Sequence, residues 1–276
     1  MFKRLKGIKD GLWAVAIAIA LLALFVGLIA AAFTPYHGDR ERPVMDLRSG
    51  QIGHKADEQA AAAAAADRAL QPTGKLHSLP DTKDAGEAYA DSLCYLCDSS
   101  VIGLRSAGLT GGQVWGSETG VLSMADTGKW TIRYPGDSSF ISPANAAMIA
   151  KPKILVIAVG SDGLKDLGQE AFVENYEKLI SGIAAASPQT EIICLSLCSV
   201  TAAYVGDEGL SKDHIAEVNG WIRSVCIDTG AYYGNLERAL CVDSWLRSDY
   251  ADGSGRCLNN AGLSALLAYL RSHALT

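Results

Sequence analysis

The chain predicts an α/β domain built on a parallel sheet in three layers, preceded by one transmembrane helix. Three observations carry that reading. Residues Gly11 to Tyr36 contain no charged side chain. From Asp84 onward, strand-like and helix-like runs alternate, the order that a parallel sheet with helices on both faces produces. The run KILVIAVG, residues 153–160, is apolar without alternation, as a central strand covered on both faces requires.

Within the uncharged segment, residues 11–33 are almost wholly Ala, Leu, Ile, Val, Phe and Trp. At about 1.5 Å per residue such a helix crosses roughly 30 Å, the hydrocarbon thickness of a bilayer. A buried core helix would be shorter and show a polar face. A cleaved signal peptide ending near Ala30-Ala31-Ala32 is the other alternative, but signal cores run about 7–15 residues and this one is longer. The expectation is an uncleaved signal anchor. Lys3, Arg4, Lys6 and Lys9 precede it against Asp10 alone, whereas Asp39, Arg40, Glu41 and Arg42 beyond it cancel. The positive-inside rule then leaves residues 1–10 in the cytoplasm and everything after about residue 34 outside, in a single-pass membrane protein.

The formal charge of −6 resolves into +3 over residues 1–10 and −9 over the rest. An acidic domain without a basic stripe argues against a nucleic-acid partner and against charge-driven attachment to an anionic membrane. The length beyond the anchor suits one domain with a proper core. The seven cysteines are Cys94, Cys97, Cys194, Cys198, Cys226, Cys241 and Cys257. An extracytoplasmic setting permits disulfides, and the odd count leaves at least one thiol unpaired. Cys94-x-x-Cys97 has the spacing of a redox or zinc motif, but it lies in an apolar strand-like run without a second such pair. The reading is therefore packing cysteines, with no metal and no cofactor.

Residues 34–82 read as an extracytoplasmic tether. The tract Ala60 to Ala66 favours a helix over about 56–70, yet it offers no large apolar side chain before Leu70. A semi-rigid spacer fits that composition. The domain proper then occupies 83–276. Strands are expected at Leu93–Cys97, Gln113–Trp115, Ile154–Val159, Glu191–Leu197 and Ala231–Asn235, and helices at about 99–107, 142–150, 167–186, 211–229 and 259–273. Over 167–186, Ala171, Tyr176, Leu179, Ile180 and Ile183 share one stripe. In open parallel sheets, ligands bind at the carboxyl ends of the strands, which directs attention to the residues after Cys97, Trp115, Val159 and Leu197.

Those positions hold YLCDSSVIGL from Tyr95, Gly116, VGSDGL from Val159, and, before the last helix, DGSGRCLNNAG from Asp252. In order and spacing this set resembles the SGNH/GDSL hydrolase family across residues 84–276. The first block is similar to that family's FIGDS-x-x-x-GL, with Cys97 where glycine is usual, and LNNAG is similar to its HLN-x-x-G ending. The resemblance implies a flavodoxin-like three-layer α/β/α sandwich and an esterase, lipase or carbohydrate O-acetyl hydrolase chemistry. It implies Ser99 as nucleophile, Gly116 as an oxyanion donor, a His base and an Asp orienter. The simpler reading of Asp98-Ser99 is a helix N-cap.

The chain departs from that pattern at three places. The family's Asn donor falls on Asp162, and an ionised carboxylate donates nothing. Cys257 occupies the position of the base His, and Ser254 that of its Asp partner; Asp252 stands five residues before Cys257, a substitute out of register. Loss of one oxyanion donor alone costs about 3–4 kcal/mol in the transition state, and loss of the base about 10⁴ in turnover. The histidines, His37, His54, His77, His214 and His273, fall in the tether or in helices. Two functions compete. One is a membrane-tethered hydrolase-like protein of impaired activity, binding an envelope glycan or acylated ligand. The other is an active serine esterase on surface polysaccharide or peptidoglycan. A site centred on Cys257 has no His or Lys partner in the sequence to lower its pKa.

Overall fold

The computed structural model describes residues 74–275, apart from 137, 138, 166 and 207. The expected anchor (11–33), the expected cytoplasmic stretch 1–10 and the expected Ala-rich helix at about 56–70 lie outside the described residues. Among the described residues, no helix is long and apolar enough to cross a membrane.

The strands are β1 (His77–Ser78), β2 (Cys94–Cys97), β3 (Gln113–Trp115), β4 (Ile132–Arg133), β5 (Phe140–Ile141), β6 (Ile154–Ala158), β7 (Glu191–Leu195), β8 (Tyr232–Gly234), β9 (Cys241–Val242) and β10 (Trp245–Leu246). The helices are α1 (Glu87–Ser92), α2 (Pro143–Ala150), α3 (Gln169–Ala186), α4 (Lys212–Thr229), α5 (Leu236–Leu240) and α6 (Asn260–Arg271). Six strands form one parallel sheet in the order β1-β8-β7-β6-β2-β3. Without the short edge strand β1, that is the flavodoxin-like order, whose switch point falls between β2 and β6. β9–β10 and β4–β5 are separate antiparallel pairs.

Side chains alternate across the sheet, and both faces are buried. Leu96, Leu155, Ile157, Ile192 and Cys194 face α2, α3 and α4, where Ala146, Phe172, Tyr176 and Ile215 close the core. Tyr95, Val156, Ile193 and Leu195 face α1, α5 and α6, meeting Ala90, Leu236, Leu263 and Leu270. Each fully buried Leu, Ile or Val contributes on the order of 1.5–3 kcal/mol, so this double-faced centre dominates stability. Ser142 caps α2 by accepting from Asn145 N–H with Pro143 at the first turn, and Gly230 ends α4 in the left-handed region (φ 76°).

Two expectations need correction. The sheet already includes His77 and Ser78, which pair with Tyr232 and Tyr233, so the tether does not extend to residue 82. The helix expected at 99–107 is one 3-10 turn, Ile102–Arg105. Gly103 packs against Leu263 there, and Gly108 just beyond adopts φ 64°, outside helical geometry.

Candidate active site

β2 and β6 diverge at the switch point, and what bridges their ends is Asp98. Its carboxylate is fully buried (0% exposed). Oδ2 accepts from Gly160 N–H (2.9 Å), Ser161 N–H (2.7 Å) and Ser161 Oγ (2.8 Å), while Oδ1 accepts from Ser100 N–H (3.0 Å) and Ser100 Oγ (2.6 Å). Burial, and next the charge of Asp162, push its pKa up against the pull of these donors. Asp98 thus ties the turn after β2 to the turn after β6 and holds Ser99 at the sheet's carboxyl edge. Ser99 is not the cap of an α-helix, because no α-helix follows it.

Asp162 meets Ser99 directly. Ser99 Oγ donates to Asp162 Oδ1 at 2.5 Å, and Ser99 N–H donates to Oδ2 at 3.2 Å. A third donor, Leu122 N–H, reaches Oδ2 at 2.8 Å. Arg256 Nη2 supplies the fourth contact, 2.5 Å to Asp162 Oδ1 and 2.9 Å to Ser99 Oγ. The Asp162 side chain is 3% exposed and that of Arg256 29%. Burial works against the Arg256 charge, but the Asp162 carboxylate outweighs it and holds the guanidinium above its ordinary pKa. Gly163 makes the turn possible. It sits at φ 76°, and a Cβ there would lie 2.2 Å from Ser123 Oγ.

Arg256 arrives on a loop whose shape the neighbouring motif dictates. Asp252 Oδ1 accepts from Ser254 Oγ (2.5 Å), Ser254 N–H (3.1 Å) and Cys257 N–H (3.3 Å), and Ser254 Oγ accepts from Arg256 N–H (3.2 Å). Burial opposes the Asp252 charge, yet the Ser254 hydroxyl and these backbone donors prevail and lower its pKa. Gly255 C=O accepts from Thr201 N–H, and Leu258 N–H donates to Ser100 C=O, each at 2.9 Å. Asn259 caps α6 through Gly262 N–H (3.0 Å) and donates to Asp249 C=O and Ala251 C=O. In this chain, therefore, LNNAG docks a loop that presents Arg256.

The six residues singled out in the sequence separate into groups. Ser99 and Asp162 are brought into direct contact. Asp252 and Ser254 join each other and shape the loop, but neither touches Ser99. The Cys257 thiol is half-buried and raised in pKa by burial first and by Asp252 next, with no hydrogen bond to Ser99. Gly116 presents its carbonyl to Arg105 Nη2 (2.6 Å) and Arg133 N–H (3.0 Å), and its bare α-carbon lets Ile102 and Cys97 C=O approach. The N–H that joins that of Ser99 on the carboxylate belongs to Leu122. Arg256 and Leu122 were illegible in the sequence. Arg256 is one residue from Cys257, where the resemblance places the base, and Leu122 acts through its backbone.

Chemically, the two N–H groups that could hold an oxyanion converge on a carboxylate instead. Asp162 is placed to accept the Ser99 proton, but the oxygen in reach is already bonded by Arg256 Nη2. Of the described histidines, His77 lies against Tyr232, His214 against Glu217 and Trp221, and His273 against Asp81 and Tyr269, none of them at Ser99. Arg256, Ser161 and Ser196 line a cavity of about 20 Å³ beside Ser100, room for about one water molecule.

No protein-family model matches this sequence, and no curated protein does. Solved structures similar to the chain include GDSL-like lipases and esterases. A GDSL-like lipase from Bacteroides thetaiotaomicron aligns with TM-score 0.47 and 12% identity, over 80% of this chain and 95% of that one. A carbohydrate esterase family 3 protein from Talaromyces cellulolyticus aligns with TM-score 0.42 and 12% identity, over 65% and 94%. The periplasmic domain of a lipopolysaccharide acetyltransferase from Salmonella ser. Paratyphi A aligns with TM-score 0.41 and 13% identity, over 80% and 95%.

Proposed function

We propose that this chain is a membrane-tethered, extracytoplasmic SGNH/GDSL hydrolase-like protein in which Ser99 does not support efficient ester hydrolysis, and that it acts by binding an envelope glycan or an acylated ligand. One observation carries the reading. The Asp162 carboxylate takes the Ser99 hydroxyl, the Ser99 N–H and the Leu122 N–H together, with Arg256 closing over the same oxygen. An oxyanion formed about 4 Å from that carboxylate would be repelled by roughly 4 kcal/mol at an effective dielectric near 20. That is comparable to the whole contribution of a hydrogen-bond donor in a working oxyanion hole.

The competing reading, an active serine esterase, draws on the 2.5 Å bond from Ser99 Oγ to Asp162, which supplies a carboxylate in reach of the nucleophile's proton. Hydrolysis of p-nitrophenyl acetate by the detergent-purified chain, beside its Ser99→Ala variant, separates the two. Equal, background-level rates from two folded proteins are expected. Turnover lost on Ser99→Ala would make the domain a working esterase.

A further inference from the structure

β3 forms one edge of the sheet, and along it runs a groove of about 590 Å³ lined by Arg105, Arg133, Tyr134, Thr110 and Gln113 among others. That volume is within the roughly 300–1,000 Å³ of ordinary small-molecule sites. Gly112, also in the groove's lining, lacks a Cβ and so packs its backbone directly against Leu93 C=O and Tyr95. Arg105 is held rigidly. Its Nη2 donates to Gly116 C=O at 2.6 Å and its Nη1 to Ser117 C=O at 3.1 Å. Carbonyls fix a guanidinium without cancelling its charge. Arg133, exposed, lines the same groove, and its backbone N–H bonds the same Gly116 C=O that Arg105 holds.

Among the described residues, neither arginine forms an ion pair. Asp91, next to the far end of the groove, is committed to Gly111 N–H (2.6 Å) and Thr110 Oγ1 (3.1 Å). Two guanidiniums in one concave place, without an ion-pair partner among the described residues, stand out in a chain of formal charge −6. Guanidiniums favour carboxylate and phosphate oxygens through paired N–H donors. We propose that this groove is a binding site for a polar ligand carrying a carboxylate or phosphate group, which bridges Arg105 and Arg133. The site is separate from Ser99 and does not depend on whether that serine is active.

The test is calorimetric titration of the detergent-purified full-length chain with trigalacturonic acid, glycerol 3-phosphate and, as an uncharged control, maltotriose. Saturable binding of one of the anions is expected, and which one binds identifies the source of the charge. Arg133→Ala should weaken it about tenfold, the value of one charge-assisted contact. Arg133→Lys should restore part of the loss, and Lys178→Ala should change nothing. The Arg133 N–H bond to Gly116 is made by the backbone, so these variants leave the fold in place. Binding of neither anion, equal binding of maltotriose, or binding indifferent to Arg133→Ala would each overturn the proposal.

Discussion

Arg256 Nη2 and Asp162 Oδ1 lie 2.5 Å apart, in contact across Ser99, and they join the loop before α6 to the turn after β6. Their positions in the chain differ by 94, so the contact is a property of the folded sheet edge alone. The Asp162 charge is withdrawn from water and that of Arg256 partly so, and each faces the other.

Breaking that pair should therefore be costly. Asp162→Asn leaves the guanidinium beside a neutral amide, and truncating one partner of a buried pair costs about 3–5 kcal/mol. Arg256 keeps some solvent contact, so about 2–3 kcal/mol is expected, or roughly 4–12 °C in Tm for a domain of this size. Thermal unfolding of the variant is the measurement; an unchanged Tm would mean the pair contributes nothing to the fold.

The same substitution should not create an esterase. It removes a negative charge and adds a donor, but it leaves Ser99 without a base of adequate proton affinity. Asp162→Asn is expected to stay at background with p-nitrophenyl acetate. A Ser99-dependent rate in this variant would show that the carboxylate alone was holding catalysis off.

Acid sensitivity should localise to the loop that carries Arg256. The folded-state pKa of Asp252 is lowered, so its stabilising contribution is present above the ordinary Asp value of about 3.9 and is lost as pH falls through the lowered one. Asp98 has the opposite sign, raised by burial and by Asp162, so its protonation on acidification relieves a penalty. Asp252→Asn should flatten the acid limb of a stability–pH curve below about pH 4, whereas a limb identical to wild type would assign it elsewhere.

Gly163→Ala tests the turn itself. The residue has φ 76°, and a new Cβ would collide with Ser123 Oγ at 2.2 Å. Strain of this kind costs of order 1–3 kcal/mol, and it would also shift Asp162. Denaturant unfolding with no loss of stability would contradict the geometry.

The thiols give a fifth check. The Cys198 and Cys241 thiols are neighbours that shift each other's ionisation, whereas Cys257 has no cysteine partner among its interactions. Mild oxidation of the folded protein should link Cys198 to Cys241, as a peptide pair in non-reducing mass spectrometry. A Cys241–Cys257 peptide would require a different loop arrangement.

The chain's architecture was legible where local chemistry is decisive. Unbroken apolar runs marked β6 and β7, the stripe through Tyr176 and Ile183 marked α3, and turn residues after Cys97 and Val159 marked the sheet edge where Ser99 and Asp162 stand. Short elements were not legible. β1 is two residues that pair only because β8 offers an open edge, and the helix after Ser99 shrank to a single turn. What the sequence determined by itself was a parallel α/β core and a serine set where such sheets bind ligands, because periodicity and strand-end turns are local. Only the tertiary structure decided that Arg256, rather than its neighbour Cys257, meets Ser99, and that Leu122 rather than Gly116 shares the carboxylate. Those choices depend on how separate loops dock, through Asp252, Thr201 and Asn259, and on main-chain N–H groups, which every residue but proline carries.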